Sequence, residues 1–596
     1  MKPVVLFFAS CLAACASAET VKPHPRLFAD AARMEEVRTF CATNELGRAV
    51  RDRILSVADS VLPKPVLTRQ LDGRRMLNVS RVAQQRLFNL GLAWRFTRDR
   101  RYLERVVREL DAVCAFTDWN PQHYLDVGEM AFAVAVAYDW VYDGLTAEER
   151  TRFAAGLARH AFGPLFEDRE MNWGDLKTTW WLKADNNWNS VCAGGTLAAG
   201  WALWDDPAAA ARAQEAFRLC REALPLGMKC YAPSGSYPEG PSYWGFGTTY
   251  CCVGAEMIRE ATGDDSDVVS APGFVETVYY PDRVTGPSGN YFNFGDNRAE
   301  RHLEFASFYL AHRFGKTDAL SRFCLDALRR ECALRDEPTE TGVEERRLYP
   351  LIVLYLDRPV PPDAAPANAF WYSGANAMPV VTAGPVNGAW FAAKGGRAKA
   401  SHMHMDVGGF VYEANGERLV FDFGWENYPN AEAHGIDIWD NAVGGKRWRC
   451  FRLGPKSHAV ALVGDELPYA QGFAPFTAFE TNSLPCSVTL DLTEVYPAAK
   501  RATRVFTLAA DGTLTVTDRF EGLAEGTPVS VRFPVLRGAK VALECPDAVR
   551  ETVAAETLLE DWAMPIEPSD LVVFSKRADS AGAVEFATSV RPTPVR

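Results

Sequence analysis

The chain has 596 residues, which is too many for one hydrophobic core, so two or three domains are expected. Hydrophobic residues make up 48% and charged residues 23%, a balance typical of globular proteins that argues against extended disorder. The formal net charge of −12 argues against nucleic acid as a partner.

Residues 1–18 have the pattern of an export signal. Lys2 precedes the apolar run 4–14, and the small residues at 16–18 fit a signal-peptidase cleavage site. A second interpretation stays open, because the tetrapeptide ending at Cys15 has the form of a bacterial lipobox, and cleavage there would leave this cysteine lipidated. No stretch is long and apolar enough for a permanent transmembrane helix. The sequence therefore predicts an exported protein, periplasmic or attached to a membrane by lipid.

The cysteines show no regular spacing that would indicate a disulfide framework. There are 14 of them, and the adjacent pair Cys251 and Cys252 lies in an apparent helix. We predict no framework, although an oxidising compartment would permit one or two bridges.

Residues 19–345 are predicted to form a helical domain. Apolar residues recur at three- and four-residue spacing, the period of an amphipathic helix, in the segments 82–96, 102–116, 129–142 and 152–162. Thr146 and Glu149 have the spacing of a helix capping box. Successive helical hairpins of this kind build a bundle, a solenoid or a closed α/α toroid, and the pattern alone does not choose among them.

The composition changes after this region. Prolines interrupt any helix in residues 346–375, which are predicted to be a linker. From 376 to 596 the apolar period becomes two, as in β-strands, and the pair Asp511-Gly512 predicts a hairpin between two such runs. Many short strands with few helices indicate an antiparallel β-sandwich.

The stretch 401–424 combines a histidine pair with a second hairpin signal. If the segment around His402 and His404 is extended, both rings point to one face, about 7 Å apart. Asn415-Gly416 predicts a two-residue turn, because a type I′ turn needs positive φ at both central positions. Counting back from that turn places Asp422 opposite Gly409, near the histidines.

Two imidazoles and a carboxylate that converge are a common arrangement for zinc, which needs a further ligand to close the site. His458 is a candidate, because it begins the next β-like segment. The alternative is that the histidine pair is a surface feature or a substrate contact.

Five motifs in this order resemble the heparinase II/III-like family of polysaccharide lyases. They are DNNWN at 185–189, YPEGPSYWGFGT at 237–248, NFGDNR at 293–298, the stretch 401–424, and RWRCFRLGPKSHAV at 447–460. The resemblance covers nearly the whole mature chain. It implies an (α/α) toroid followed by a β-sandwich, with the substrate cleft between them.

The resemblance also implies a reaction, the β-elimination of uronic acid residues. A base removes the proton at C5, next to a carboxylate whose charge must be neutralised, and an acid protonates the departing glycosidic oxygen. By their places in the motifs, Tyr243 resembles the proton donor and His402 the catalytic or carboxylate-facing histidine. Asn187 resembles the neutralising asparagine, with Asn186 as a close second.

One position departs from the family pattern. Some members have histidine after the asparagine, where this chain has Trp188, so the role of base falls on His402 or on Tyr428. His404, Asp422 and His458 resemble a metal set, usually zinc, which is expected to be structural and to hold the hairpin in place.

Further residues in the motifs are candidates for contacts with the substrate. Arg298 and Arg449 could hold acidic groups in bidentate geometry. The whole candidate set is Asn186, Trp188, Glu239, Trp244, Arg298 and Arg449. The expected partner is an acidic polysaccharide or oligosaccharide, and heparin or heparan sulfate, chondroitin or dermatan sulfate, alginate and bacterial exopolysaccharides all fit.

Three other functions remain open from the sequence. A uronate C5-epimerase would abstract the same proton without loss of the leaving group. A hydrolase would need two carboxylates that flank the bond, and only Glu239 is available. A protein that binds glycans without cleaving them would not need Tyr243, His402 and Asn187 together. Endolytic or exolytic action and the oligomeric state, a dimer included, are also undecided.

Overall fold

The computed structural model describes residues 21–171, 176–320, 322–334, 346–360 and 370–593. The predicted export signal at 1–18, with Cys15, lies outside these residues. Helices occupy the first part: α1 (Ala31–Thr43), α2 (Glu45–Val61), α3 (Leu77–Thr97), α4 (Arg100–Cys114), α5 (Leu125–Val141), α6 (Ala147–Leu157), α7 (Gly163–Glu167), α8 (Asn187–Ala202), α9 (Ala210–Met228), α10 (Pro241–Thr262), α11 (Ser266–Val269), α12 (Tyr280–Arg283), α13 (Phe305–Phe314) and α14 (Arg322–Ala333).

The helices form two layers. In the inner layer α3 packs on α5, α5 on α8 and α8 on α10, and the outer helices α2, α4 and α9 pack against them. Helix α5 is buried along its whole length, as expected for a helix without a polar face. A Cβ at Gly195 in α8 would collide with the backbone of Gly128 in α5, so glycine allows this close approach. This arrangement matches the predicted (α/α) toroid.

The helix boundaries follow local sequence signals. Helix α6 begins after Thr146, whose side chain accepts from the backbone N–H of Glu149, while the Glu149 carboxylate accepts from the backbone N–H of Thr146. The predicted capping box is therefore confirmed. After α6 the chain continues through a π-helical turn at Ala158–Phe162 into α7.

The second part of the chain forms antiparallel sheets. The strands are β1 (Trp371–Tyr372), β2 (Val380–Val386), β3 (Ala389–Lys394), β4 (Phe410–Ala414), β5 (Glu417–Val420), β6 (Ala461–Val463), β7 (Phe476–Glu480), β8 (Cys486–Asp491), β9 (Arg501–Leu508), β10 (Leu514–Glu521), β11 (Pro528–Leu536), β12 (Val541–Glu544), β13 (Val549–Ala554), β14 (Ser569–Arg577) and β15 (Val584–Pro592). The sheet orders are β1-β2-β3-β4-β5, β12-β15-β10-β9-β8-β7 and β13-β14-β11-β6.

The apolar faces of the three sheets meet in one core. Strands β9 and β10 alternate buried and partly exposed residues, which is the period-two pattern seen in the sequence. They pair through the turn that contains Asp511 and Gly512, as predicted. The architecture is helical first and then antiparallel β, in agreement with the sequence.

Of the predicted linker at 346–375, residues 361–369 lie outside the described residues. A buried helical turn at Tyr349–Ile352 continues as a 3₁₀ turn at Val353–Tyr355, and β1 begins at Trp371. Pro350 lies in the first turn of that helix, where proline is tolerated because its missing N–H would have no helical partner.

The hairpin of β4 and β5 differs from the prediction in register. Asn415 and Gly416 both have positive φ, and Ala414 pairs with Glu417, as expected. A bulge then shifts the pairing, and β5 ends at Val420, before Asp422. The prediction that Asp422 lies opposite Gly409 assumed an unbroken register back from the turn, and it is therefore wrong.

The histidine pair does not lie on an extended strand. Residues 401–408 form turns before β4, and His402 has φ of 60°, in the left-handed region. The predicted alternation of side chains along an extended strand does not apply to His402 and His404, because the chain turns at His402.

None of the cysteines in the described ranges forms a disulfide, and most of them are buried. Within those same ranges, no helix combines the length and the apolarity that a bilayer crossing requires.

Candidate active site

A cleft of about 800 Å³ lies between the helical part and the β part. The helical part contributes a turn before α3, the first turns of α8 and α10, and the loop before α13. The β part contributes the turn at His402 and the segment from Trp425 to Trp439.

Helix α10 places Tyr243 at the cleft. The helix starts after Gly240, whose φ is 90° and whose missing Cβ leaves room for the Asn297 amide. The Asn297 side chain accepts from the backbone N–H of Ser242 at 2.8 Å and donates to the carbonyl of Glu239 at 2.8 Å. The loop that contains Asn297 therefore holds the first turn of α10.

A chain of hydrogen bonds links the two halves at Tyr243. Its hydroxyl lies 3.0 Å from the hydroxyl of Tyr428, which lies 3.1 Å from Nδ1 of His402. The same Nδ1 lies 3.2 Å from Oδ2 of Asp296. The rings of Tyr243 and His402 stack, with centroids 3.9 Å apart. These two rings therefore touch each other, and the cleft lies beside them.

Asp296 joins both histidines of the pair. Its Oδ2 accepts from Nη2 of Arg447 at 3.0 Å, and its Oδ1 lies 2.9 Å from Nε2 of His404. Burial alone would raise the pKa of this carboxyl, but the Arg447 charge and the hydrogen bonds of His402 and His404 outweigh it and hold the pKa well below its usual range. Asp296 is therefore an ionised carboxylate at neutral pH.

The pKa of Tyr428 is shifted in the opposite direction to that of Asp296. Burial, the Asp296 carboxylate and the neighbouring Tyr243 raise its pKa well above the ordinary value. Its hydroxyl is thus protonated across the neutral range and can donate a hydrogen bond.

Asn187 is the first residue of α8, and a carboxylate behind it orients its amide. Its Nδ2 donates to Oε2 of Glu239 at 2.6 Å. Asn186 precedes it as the helix cap and accepts from the backbone N–H of Trp188 at 3.1 Å. The bond to Glu239 fixes the orientation of the Asn187 amide, and Asn187 lines the cleft.

A second buried cluster lies behind His402. The ligand atoms of His404, Asp422 and His458 all lie within 4.8 Å of one another, and Oδ2 of Asp422 is 2.7 Å from Nδ1 of His458. Burial alone would lower the pKa of His458, but the Asp422 carboxylate outweighs it and raises that pKa.

The donor set of this cluster fits a metal ion. Nδ1 of His404 and Nε2 of His458 are buried without a hydrogen-bond partner among the described residues. Buried polar atoms without a partner are rare, and a metal ion would satisfy them. Two imidazoles and a carboxylate are typical zinc ligands, and Asp296 at Nε2 of His404 is the kind of partner that orients a metal-binding histidine.

No family model and no curated protein matches the sequence. Solved structures do match. A heparinase III structure has a TM-score of 0.56, covering 96% of this chain and 94% of its own, at 12% identity. A mutant heparan sulfate lyase from Pedobacter heparinus has a TM-score of 0.54, covering 96% of this chain and 92% of its own, at 13% identity.

The chain has the fold of heparinase-type polysaccharide lyases. A chondroitin AC lyase from Streptomyces coelicolor A3, solved in complex with chondroitin sulphate, agrees with this. Its TM-score is 0.51, covering 95% of this chain and 83% of its own, at 14% identity. These likenesses establish the lyase fold.

Three of the predicted substrate contacts line the cleft of this lyase fold, namely Asn186, Trp188 and Arg298. Trp188 lies beside the ring of His123, with centroids 5.0 Å apart. The Arg298 guanidinium lies 4.7 Å from the ring centroid of Trp425. These residues provide aromatic and cationic surfaces.

The other three do not line the cleft. Glu239 is buried behind Asn187. Trp244 points into the core and donates to Thr277, because a residue next to Tyr243 on α10 lies about 100° further round the helix. Arg449 is exposed outside the cleft.

Sequence reasoning missed Asp296 and Arg447 as members of the site. Asp296 lies in the motif NFGDNR, from which only Arg298 was assigned a role by sequence. Arg447 lies two residues before Arg449 in the same basic cluster, and it is the buried one of the two. The feature that marks Arg447 as a member of the site is the burial of its charge. Burial depends on the tertiary structure, so the local sequence does not reveal it.

Proposed function

We propose that the protein is an exported polysaccharide lyase that cleaves a uronic-acid-containing glycan by β-elimination. The observation that carries the proposal is the hydrogen-bonded chain Tyr243–Tyr428–His402–Asp296 at the cleft. A structural neighbour bound to chondroitin sulphate supports an acidic glycan as the substrate.

His402 is the proposed base. We assign the Nδ1 proton to the hydrogen bond with the ionised Asp296, which leaves the lone pair of Nε2 to act as the base. Nε2 has no hydrogen-bond partner in the described structure, and His402 lines the cleft. In the proposed step, Nε2 takes the proton from C5 of the uronate.

The electron pair of the broken C5–H bond then drives the loss of the leaving sugar. The C5–H bonding pair becomes the C4–C5 double bond, and the C4–O bond to the leaving sugar breaks. Tyr243 gives its proton to the departing oxygen, and the Tyr428 hydroxyl behind it donates to Tyr243 as negative charge develops there. In this mechanism the second N–H of the Asn187 amide binds the substrate carboxylate and makes the C5 proton more acidic.

We also propose a structural zinc ion at His404, Asp422 and His458. When bound, it would fix His404, whose other nitrogen contacts the Asp296 that also holds His402.

Elimination creates a conjugated double bond, so ultraviolet absorbance on a panel of uronate polysaccharides tests the proposal. Tyr243→Phe is expected to lower kcat by about 10²- to 10⁴-fold, the usual contribution of a general acid. Tyr280→Phe is the matched control, because its hydroxyl donates to the carbonyl of Tyr237 away from the cleft.

Two outcomes would contradict parts of this proposal. Unchanged turnover in Tyr243→Phe would remove Tyr243 from the mechanism. Incorporation of solvent deuterium at C5 without absorbance would instead indicate an epimerase. Export is tested separately by the mass of the mature protein, which distinguishes cleavage after Ala18 from lipid on Cys15.

A further inference from the structure

A turn from the helical part contributes to the lining of the cleft. The turn spans Asp72–Arg75, and these two residues exchange both backbone hydrogen bonds, at 2.8 and 3.0 Å. The Asn120 side chain donates to the carbonyl of Arg74 at 2.9 Å, and the Asp126 carboxylate accepts from the backbone N–H of Met76 at 2.7 Å. Both anchors belong to the helical part, so this turn is fixed to it.

The turn reaches across to the β part through ion pairs. Glu432 lies in a short helix, Tyr428–Ala433, and accepts from Nη1 and Nη2 of Arg75 at 3.0 and 3.1 Å. Nη2 of Arg74 donates to the same carboxylate at 3.3 Å. Burial opposes ionisation of Glu432, but the hydrogen bond and charge of Arg75 outweigh it and lower the pKa. The bidentate geometry holds the two parts in a defined position.

This bridge lies beside the proposed reacting groups. The Arg75 guanidinium is 5.9 Å from the ring centroid of Tyr428, whose hydroxyl contacts both Tyr243 and His402. Trp439 packs against the other edge of Tyr428, with ring centroids 5.6 Å apart. Arg74, Arg75, Tyr428 and Trp439 all line the cleft.

We infer that the Arg74/Arg75–Glu432 bridge ends the cleft next to the catalytic groups, and that the enzyme therefore acts on the end of a glycan chain. An endolytic lyase needs a groove that is open on both sides of the cleaved bond, whereas a cleft closed on one side admits only a chain end. The volume of about 800 Å³ is within the range of pockets that enclose a small ligand. The inference rests on the proposed lyase function and adds the mode of cleavage, which makes this bridge a determinant of product size.

The test measures product length and viscosity together on a polysaccharide that the wild-type enzyme cleaves. Exolytic cleavage produces the shortest unsaturated product from the first minutes, with little loss of viscosity for each double bond formed. Glu432→Ala removes the ion pairs to both arginines and is expected to increase early long products severalfold. Glu432→Gln keeps the side-chain volume while removing its charge, so it should shift the products in the same direction even if the alanine variant folds poorly.

A matched control is available in the same segment. Arg69 pairs with Asp118 at 2.7 Å, and both residues belong to the helical part. Arg69→Ala removes an ion pair of similar exposure without opening the cleft, so its product pattern should equal that of the wild type.

The outcomes separate this inference from the proposed function. Long unsaturated products from the wild-type enzyme in the first minutes would overturn the inference and leave the lyase assignment intact. Identical product patterns in the wild type and in folded Glu432→Gln would also overturn it. Absence of new absorbance on every uronate polysaccharide would remove the lyase function itself.

Discussion

Replacement of Tyr428 by phenylalanine tests how the hydroxyl network contributes to turnover. The change removes one oxygen and keeps the ring that contacts Trp439, so packing is preserved. Two hydrogen bonds are lost, one of 3.0 Å to Tyr243 and one of 3.1 Å to His402. Neither partner becomes a buried orphan, because both rings line the cleft and can bind water.

The expected magnitude follows from these two bonds. Each contributes about 0.5–1.5 kcal/mol net, so together they amount to about 1–3 kcal/mol. If the whole amount is expressed in the transition state, kcat falls by about 5- to 150-fold, since 1.4 kcal/mol corresponds to a factor of ten. The loss should be smaller than that of Tyr243→Phe, because Tyr428 acts through Tyr243 and does not itself meet the leaving group.

The assay is the initial rate of absorbance increase at saturating and limiting substrate, with melting temperature as the control for folding. Tyr280→Phe again serves as a tyrosine-to-phenylalanine change away from the cleft. A loss in Tyr428→Phe as large as in Tyr243→Phe would show that Tyr428 transfers the proton directly. An unchanged kcat would show that the network plays no part.

Three further changes probe the surroundings of the site. Glu239→Ala frees the Asn187 amide and should lower kcat/KM about tenfold, the value of one charge-assisted hydrogen bond, while Glu239→Gln retains most activity in the same kinetic assay. His458→Ala removes a candidate ligand, so metal analysis should find less zinc and calorimetry a lower Tm; equal zinc content would contradict the proposed site. Burial opposes ionisation of Asp357, but hydrogen bonds from His312 and Arg33 outweigh it and hold its pKa well below the usual range. This stabilisation is therefore fully present above the ordinary carboxyl pKa of about 4 and declines as the pH falls from there towards the much lower folded pKa. Asp357→Asn should thus cost about 1 kcal/mol in denaturant unfolding at pH 7, and this cost should be smaller at pH 2 than at pH 7.

Local sequence signals predicted much of the fold. The capping box at Thr146 and the turn at Asn415-Gly416 both formed as expected, because each depends on contacts within a few residues. The order of helices and then strands followed from the change of apolar period near residue 376. The predicted strand register was wrong beyond the turn, because the bulge between Tyr412 and Glu413 is not visible in a pattern of alternating residues.

The sequence by itself determined which residue types were available to the site, namely Tyr243, His402 and Asn187, and that they belong to two different parts of the chain. Only the tertiary structure decided that Asp296, 106 residues before His402, is the carboxylate that orients this histidine. It also decided that Arg447, and not the neighbouring Arg449, neutralises that carboxylate. The physical reason is that a buried charge takes its partners from whatever the fold packs around it, and such contacts leave no periodic trace in the sequence.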